Sequence, residues 1–308
     1  MRYLVVGAGA VGGYFGGRLL AAGHDVTFLL RPGRAEALRK TGLVVNSRFG
    51  DLALPMPPYV LAGTIASTFD VVIVACKAYD LDATMASFAP AVGSETAILP
   101  LLNGMRHLDD LKSRFGTKNV LGGLCAISAT LDAAGAIKHL NDLHALTFGE
   151  LDGTPSDRVA RMQRDFSLAT FDGRSSAQIV QEMWEKWVFI ASVASLTCLM
   201  RASIGDVIAA GATELGLQLV DECCEIASAN GFAPRASSVE RFRAALTAVG
   251  SPLTASMLKD IERGAPVEAD HVVGDLVARA RQVAPRATLL RVAYAHLKAY
   301  EARRARTT

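Results

Sequence analysis

Lys186 stands at the head of a long apolar run, "EMWEKWVFIASVASLTCLM", from Glu182 to Met200. An ammonium ion beside so much apolar surface is expensive unless it has a partner or a task. One task suits it. When a hydride adds to a ketone carbon, negative charge grows on the oxygen, and a positioned amine can stabilise that charge and supply a proton. The plainer alternative is a first-turn lysine whose stem covers Trp184 or Trp187. A second chemical pattern lies at the N-terminus, where "GAGAVG" puts Gly7, Gly9 and Gly12 in G-x-G-x-x-G spacing straight after the apolar "YLVV". Gly7 permits a tight turn, Gly9 lets backbone approach a pyrophosphate, and Gly12 allows close helix–strand packing. Together with Ala8, Ala10 and Val11 they form a loop and helix start whose N–H groups suit phosphate.

Elements must position these groups. "VGGYFGGRLLAAG" fits a helix ending at Gly23, and "DVTFLL" (Asp25 to Leu30) fits a second strand. Strand, glycine turn, helix and strand within about 30 residues is the setting that a dinucleotide fingerprint requires. Sites selective for NAD carry an acid about 20 residues on, to hold the ribose diol. Here "LLRPGR" brings Arg31 and Arg34, with no acid until Glu36. A guanidinium suits a 2′-phosphate, so NADP(H) is the expected cofactor; the alternative is that these arginines simply face solvent.

Further strands are expected at "DVVIVACK" (Asp70 to Lys77), "AILPLLNG" (Ala97 to Gly104) and "NVLGGLCAISATL" (Asn119 to Leu131). Their continuous Val and Ile runs fit a parallel sheet buried on both faces, whose ligands bind beyond the strand C-termini. Lys77 and Asn103 fall there. Lys77 is a candidate second phosphate cation, while Asn103 in "LNG" reads equally well as a turn former. "GAIKHL" and "HALTFGEL" look like an antiparallel extension. From about Gln178 the periodicity is helical throughout, in "AQIVQEMWEKWVFIASVASLTCLM", "ATELGLQLVDECCEIASANG", "SVERFRAALTAVG", "EADHVVGDLVARARQV" and "ATLLRVAYAHLKAYEARR". The expected fold is therefore an α/β Rossmann-type dinucleotide-binding domain over residues 1–177, followed by an all-α domain over 178–308.

Composition narrows the function classes. A net charge of +2 gives no reason to expect nucleic acid as a partner. Five cysteines form no CxxC pair, and the six histidines show no metal-binding spacing. A cytoplasmic, metal-free protein is expected. The N-terminal apolar run imitates a signal peptide, but its glycines are better explained by the fingerprint. The run after Trp187 is short for a membrane span and rich in Ser and Thr, so no membrane segment is expected.

With "GAGAVGGYFGGRL", "CKAYD", "LLNGM", "WEKW", "SMLKDIERGAPVEAD" and "LLRVAYAHLKAYE" in place, nearly the whole chain resembles the ketopantoate reductase (2-dehydropantoate 2-reductase) family. The resemblance implies NADPH-dependent reduction of a 2-oxo acid to a 2-hydroxy acid, the family reaction being ketopantoate to pantoate in pantothenate biosynthesis. It places the catalytic lysine at Lys186, a glutamate of the site at Glu268, and substrate-binding groups at Ser256 and Asn103. Asn103 would also lie near the nicotinamide. The 2′-phosphate cations fall on Arg31 and Lys77, in agreement with the cofactor argument. Gly264 and Pro266 predict a helix start with Glu268 in its first turn, and that carboxylate is the candidate partner for Lys186.

Departures from the family pattern bear on the substrate. Asparagines are typical four and eight residues after the lysine, on its own helical face, and here those positions are Ile190 and Ala194. The threonine often found before the glutamate is Val267. Three readings follow: ketopantoate reductase, a paralogous reductase of another 2-oxo acid or related carbonyl compound, and a non-catalytic NADP-binding sensor. The presence of Lys186, Glu268 and Asn103 together argues against the third. A homodimer is compatible with an apolar helical domain, but no register for one is legible.

Overall fold

In the computed structural model, residues 1–280 and 287–307 are described, and the chain divides into two units. One comprises Met1–Leu102 with His107–Val180, the other Asn103–Arg106 with Gln181–Thr308.

The first unit runs β1 (Arg2–Val6), α1 (Ala10–Ala21), β2 (Asp25–Leu30), α2 (Pro32–Thr41), β3 (Leu43–Asn46), β4 (Leu52–Leu54), β5 (Tyr59–Leu61), β6 (Val71–Val74), α3 (Leu81–Phe88), β7 (Ala97–Pro100), α4 (Arg106–Phe115), β8 (Leu121–Leu131), β9 (Ile137–Glu150), α5 (Asp157–Ser167) and β10 (Asp172–Ser175). A parallel sheet has the order β5-β2-β1-β6-β7, with the glycine-loop strand at its centre. Val71–Val74 and Ala97–Pro100 are buried along their full length, as strands covered on both faces must be.

A second five-stranded sheet is built around β9. The segments "GAIKHL" and "HALTFGEL" join into this one 14-residue strand, which pairs antiparallel with β8 on both sides of an irregularity: 144–150 against 121–127 and 137–139 against 129–131, with residues 140–143 bulged out of the ladder. On its other edge β9 pairs with β3 near Ile137 and with β10 from Ala145 to Phe148.

Helix α1 lies between the two sheets, and its glycines show why. A Cβ on Gly16 would come within 2.9 Å of Val5 and 2.8 Å of Phe28 in the parallel sheet. On the adjoining face, a Cβ on Gly13 would sit 2.5 Å from Ile137, and one on Gly17 3.0 Å from Leu43, both in the second sheet. "GGYFGG" is a helix thinned on two faces.

The second unit is helical: α6 (Ile179–Met200), α7 (Ile204–Ala209), α8 (Thr213–Ala229), α9 (Ala236–Leu246), α10 (Ser256–Glu262), a π-helical turn (Asp270–Gly274) continuing into α11 (Asp275–Ala280), and α12 (Thr288–Ala305). The last residues of the expected helix "EADHVVGDLVARARQV", Arg281 to Val283, lie outside the described residues. Helix α6 is long and apolar enough to cross a bilayer by length and composition, yet most of it is buried within the protein. Trp184, Trp187, Val188, Ala191 and Leu196 are all at most 2% exposed, which is the burial of a core helix.

Candidate active site

In the first unit, the glycine loop has the geometry of a dinucleotide cradle. Gly7 takes a positive φ of 93°, which turns the chain out of β1. Gly9 caps α1 without any side-chain hydrogen bond, and the first turn carries no acidic residue to compete with an anion. Nothing lies within 4 Å of where a Cβ on Gly9 would be, whereas one on Gly12 would lie 2.2 Å from the Gly7 carbonyl oxygen. Backbone is therefore open to a ligand at Gly9 and closed on itself at Gly12, so the residues present fit a pyrophosphate.

The two arginines after β2 do different things. Arg34 Nε donates to the Ala8 carbonyl at 2.9 Å, and both terminal nitrogens reach the Gly135 carbonyl at 3.2 Å. It ties the glycine loop to the turn between β8 and β9, and burial lowers its pKa from the usual arginine value. Arg31, the residue before α2, is exposed, with one terminal nitrogen 3.1 Å from Asp80 Oδ1. Lys77 is half-buried at the head of the 3₁₀ turn Ala78–Asp80 that follows β6. Arg31 and Lys77 thus leave the C-terminal ends of the two strands that flank β1.

In the second unit, Lys186 occupies the second turn of α6 and is half-buried between buried neighbours. The indole rings of Trp184 and Trp187 lie 4.9 Å apart, with the Arg279 guanidinium 5.7 Å from each. Trp187 Nε1 donates to the Val272 carbonyl at 2.8 Å, inside the π-helical turn. Glu185, 4% exposed, is pinned to α9: Arg235 donates through Nε at 2.7 Å, a terminal nitrogen at 2.6 Å and its backbone N–H at 2.9 Å, and Ser238 Oγ adds 2.9 Å. Burial alone would push the Glu185 carboxyl up, but these donors and Gln181 hold it down to about 2. The residues on either side of Lys186 are thereby fixed, which sets the rotation of α6.

Glu268 sits at the head of the helix that begins at Ala269. Its carbonyl accepts from the Val272 N–H at 2.9 Å, so it precedes the first turn rather than lying in it. Three residues on, His271 is 6% exposed and hydrogen-bonds to the Asn103 backbone. Burial lowers the His271 pKa and the Arg106 charge adds to this; Glu268 and the Asn103 contact oppose it. Gly104 has φ +78°, and a Cβ there would lie 2.8 Å from the His271 carbonyl oxygen. The π-helical turn therefore joins three candidate residues: Glu268 at its head, Asn103 against His271, and the Lys186 segment through Trp187. Ser256 is exposed as the first residue of α10, whose cap position, Ala255, has no side-chain bond.

Along the Lys186 face, Ile190 is half-buried and Ala194 is buried. The neighbouring serines do not replace an amide. Ser192 Oγ bonds back to the Val188 carbonyl at 2.8 Å, and Ser195 Oγ is fully enclosed without a hydrogen-bond partner. The structural roles of His271, Glu185 and Arg34 were not legible in sequence. His271 had a weak signal, at helical spacing from Glu268. Glu185 had none, since its partners lie 50 and 53 residues away.

The chain matches known proteins over nearly its whole length. The family model described as "Ketopantoate reductase PanE/ApbA" matches residues 3–153, and its C-terminal counterpart matches 178–301. The chain is 40% identical over 304 residues to an uncharacterized oxidoreductase of Bacillus subtilis, YkpB, covering 98% of this chain and 99% of that one. It is 28% identical over 308 residues to the 2-dehydropantoate 2-reductase of a Nostoc species, covering 98% and 96%. The crystal structure of 2-dehydropantoate 2-reductase from Geobacter metallireducens superimposes with a TM-score of 0.88 at 26% identity, covering 97% and 99%. With matching models over both halves and a parallel sheet followed by a helical unit, the chain belongs to the ketopantoate reductase family of oxidoreductases.

Proposed function

We propose that the protein reduces a 2-oxo acid to the 2-hydroxy acid with NADPH, residues 1–177 holding the cofactor and residues 178–308 supplying the proton donor. Gly7 to Gly12 hold the pyrophosphate, and Arg31 with Lys77 holds the 2′-phosphate. The cofactor supplies the hydride that reduces the ketone carbon. Lys186 Nζ gives its proton to the oxygen on which charge develops, and recovers one from water afterwards. Glu268, Asn103 and Ser256 bind and orient the substrate's polar groups.

The observation that carries this reading is the π-helical turn, which connects Glu268, the Asn103 turn and, through Trp187, the Lys186 segment. Such turns cost helix regularity and recur at functional sites. A substrate other than ketopantoate is favoured by Ile190 and Ala194, because a site that recognises a hydroxyl through amides loses that recognition when the amides become apolar. The decisive experiment is NADPH oxidation with a panel of 2-oxo acids, ketopantoate included, for the wild type and Lys186→Ala. Turnover should fall by at least about a hundredfold in the variant while NADPH binding is retained. Near-normal turnover by Lys186→Ala would refute the assignment of the proton donor, and tight NADPH binding with no turnover on any acid would favour a sensor.

A further inference from the structure

We propose that Asp80 sets the cofactor selectivity of this chain by competing with the 2′-phosphate for Arg31; this rests on the assignment of Arg31 to that phosphate. Arg31 follows β2 and Asp80 ends the 3₁₀ turn after β6, so their 3.1 Å contact spans the two strands on either side of β1. That places a carboxylate at the C-terminal end of the parallel strands, where dinucleotides bind.

The Asp80 side chain has no competing local duty. It occupies the N-cap position of α3, where aspartate ordinarily accepts a hydrogen bond from the helix's first turn. Here it makes no side-chain cap bond. The preceding 3₁₀ turn already supplies carbonyl acceptors: Asp80 N–H donates to Lys77 O, and Leu81 N–H donates to Ala78 O. The carboxylate reaches across to Arg31 instead. Both side chains are open to solvent, 69% for Arg31 and 34% for Asp80, so the pair holds loosely and a phosphate dianion can displace it. Displacement carries a penalty for NADP(H), which must take the guanidinium from a carboxylate and then sit near that charge. NAD(H) bears no 2′-phosphate and is spared both costs. Asp80 therefore narrows the preference that Arg31 creates.

Calorimetric titration of the purified protein with NADP⁺ and NAD⁺ tests this without any turnover. Asp80→Asn should tighten NADP⁺ binding about two- to fivefold, the worth of an exposed ion pair, and leave NAD⁺ affinity within about twofold. Asp80→Ala should give the same gain, which excludes an effect of the new amide. Unchanged or weaker NADP⁺ binding in both variants would overturn the proposal, as would equal tightening for the two cofactors. Weaker NAD⁺ binding would also overturn it, since Asp80 would then be a ligand of the ribose diol. Arg31→Ala separates this from the underlying reading. If that variant loses NADP⁺ and NAD⁺ affinity equally, Arg31 is not the phosphate ligand and the cofactor assignment itself falls. If it loses NADP⁺ selectively while the Asp80 variants bind as wild type does, only the role of Asp80 falls.

Discussion

Glu185 offers a measurement of how firmly the helix bearing Lys186 is held. Its carboxylate is almost wholly buried and accepts four hydrogen bonds from Arg235 and Ser238. The carboxyl is held at about 2 in the folded protein against an ordinary value of 4.5. Linkage converts that difference into about 3 kcal/mol of stability at neutral pH. Arg235 keeps 49% of its side chain in solvent and can be rehydrated when its partner is lost. We therefore expect Glu185→Gln, which keeps the shape and removes the charge, to cost about 2 kcal/mol. Because the folded-state pKa is depressed, this contribution is fully present above pH 4.5 and is lost as pH falls toward 2. The stability gap between wild type and variant, read by urea unfolding across that range, should close with acid. A gap below about 0.5 kcal/mol at neutral pH, or one that stays constant down to pH 3, would show that the Glu185 network does not hold α6 in place.

Two further substitutions test the scaffold. Glu222 on α8 is buried and accepts from the N–H groups of Leu289 at 3.1 Å and Leu290 at 2.8 Å, capping α12 where its own cap residue, Ala287, offers no side-chain bond. Glu222→Ala should lower stability by about 1–3 kcal/mol in chemical denaturation, with loss of α12 amide protection in hydrogen exchange. Gly104→Ala forces a Cβ onto a positive φ and to within 2.8 Å of the His271 carbonyl oxygen. It should cost at least about 1–2 kcal/mol in thermal unfolding and reduce turnover more than NADPH affinity, because the strain falls on the Asn103 turn.

The parts legible in sequence were those governed by local patterns. The glycine fingerprint, the apolar runs of β1, β2, β6 and β7, and the long helices of the second unit each carry their own periodicity. The second sheet was less legible because its strands are short or paired across long distances. β3 and β4 have four and three residues, and β10 reads as polar "DGRS", held by its pairing with β9. Gly13, Gly16 and Gly17 could be counted but not explained until two sheets were seen to press on one helix. At the candidate site, residue types pointed to Lys186, Glu268 and Asn103, yet the connections between them are tertiary. Trp187 reaches Val272 across 85 residues, and His271 meets Asn103 from the far end of the chain.

The same contacts bear on what the Lys186 face can recognise. Where the family resemblance implies amides and this chain has Ile190 and Ala194, hydroxyls one or two residues away are the nearest polar substitutes. Ser192 and Ser195 are the available hydroxyls, and the structure commits neither to a ligand. Ser192 is spent on the Val188 carbonyl, and Ser195 is fully buried. We therefore expect this stretch to select a substrate by apolar shape and not through these hydroxyls. Apolar pockets distinguish substrates by shape at about 1–3 kcal/mol per methylene and reject an added hydroxyl only weakly. A 2-oxo acid with an apolar or aromatic side chain should therefore outperform one with a hydroxyl in kcat/KM. Restoring the pair with Ile190→Asn and Ala194→Asn should shift that preference toward the hydroxylated acid. If the double variant folds but ranks the panel as wild type does, the α6 face is not what selects the substrate.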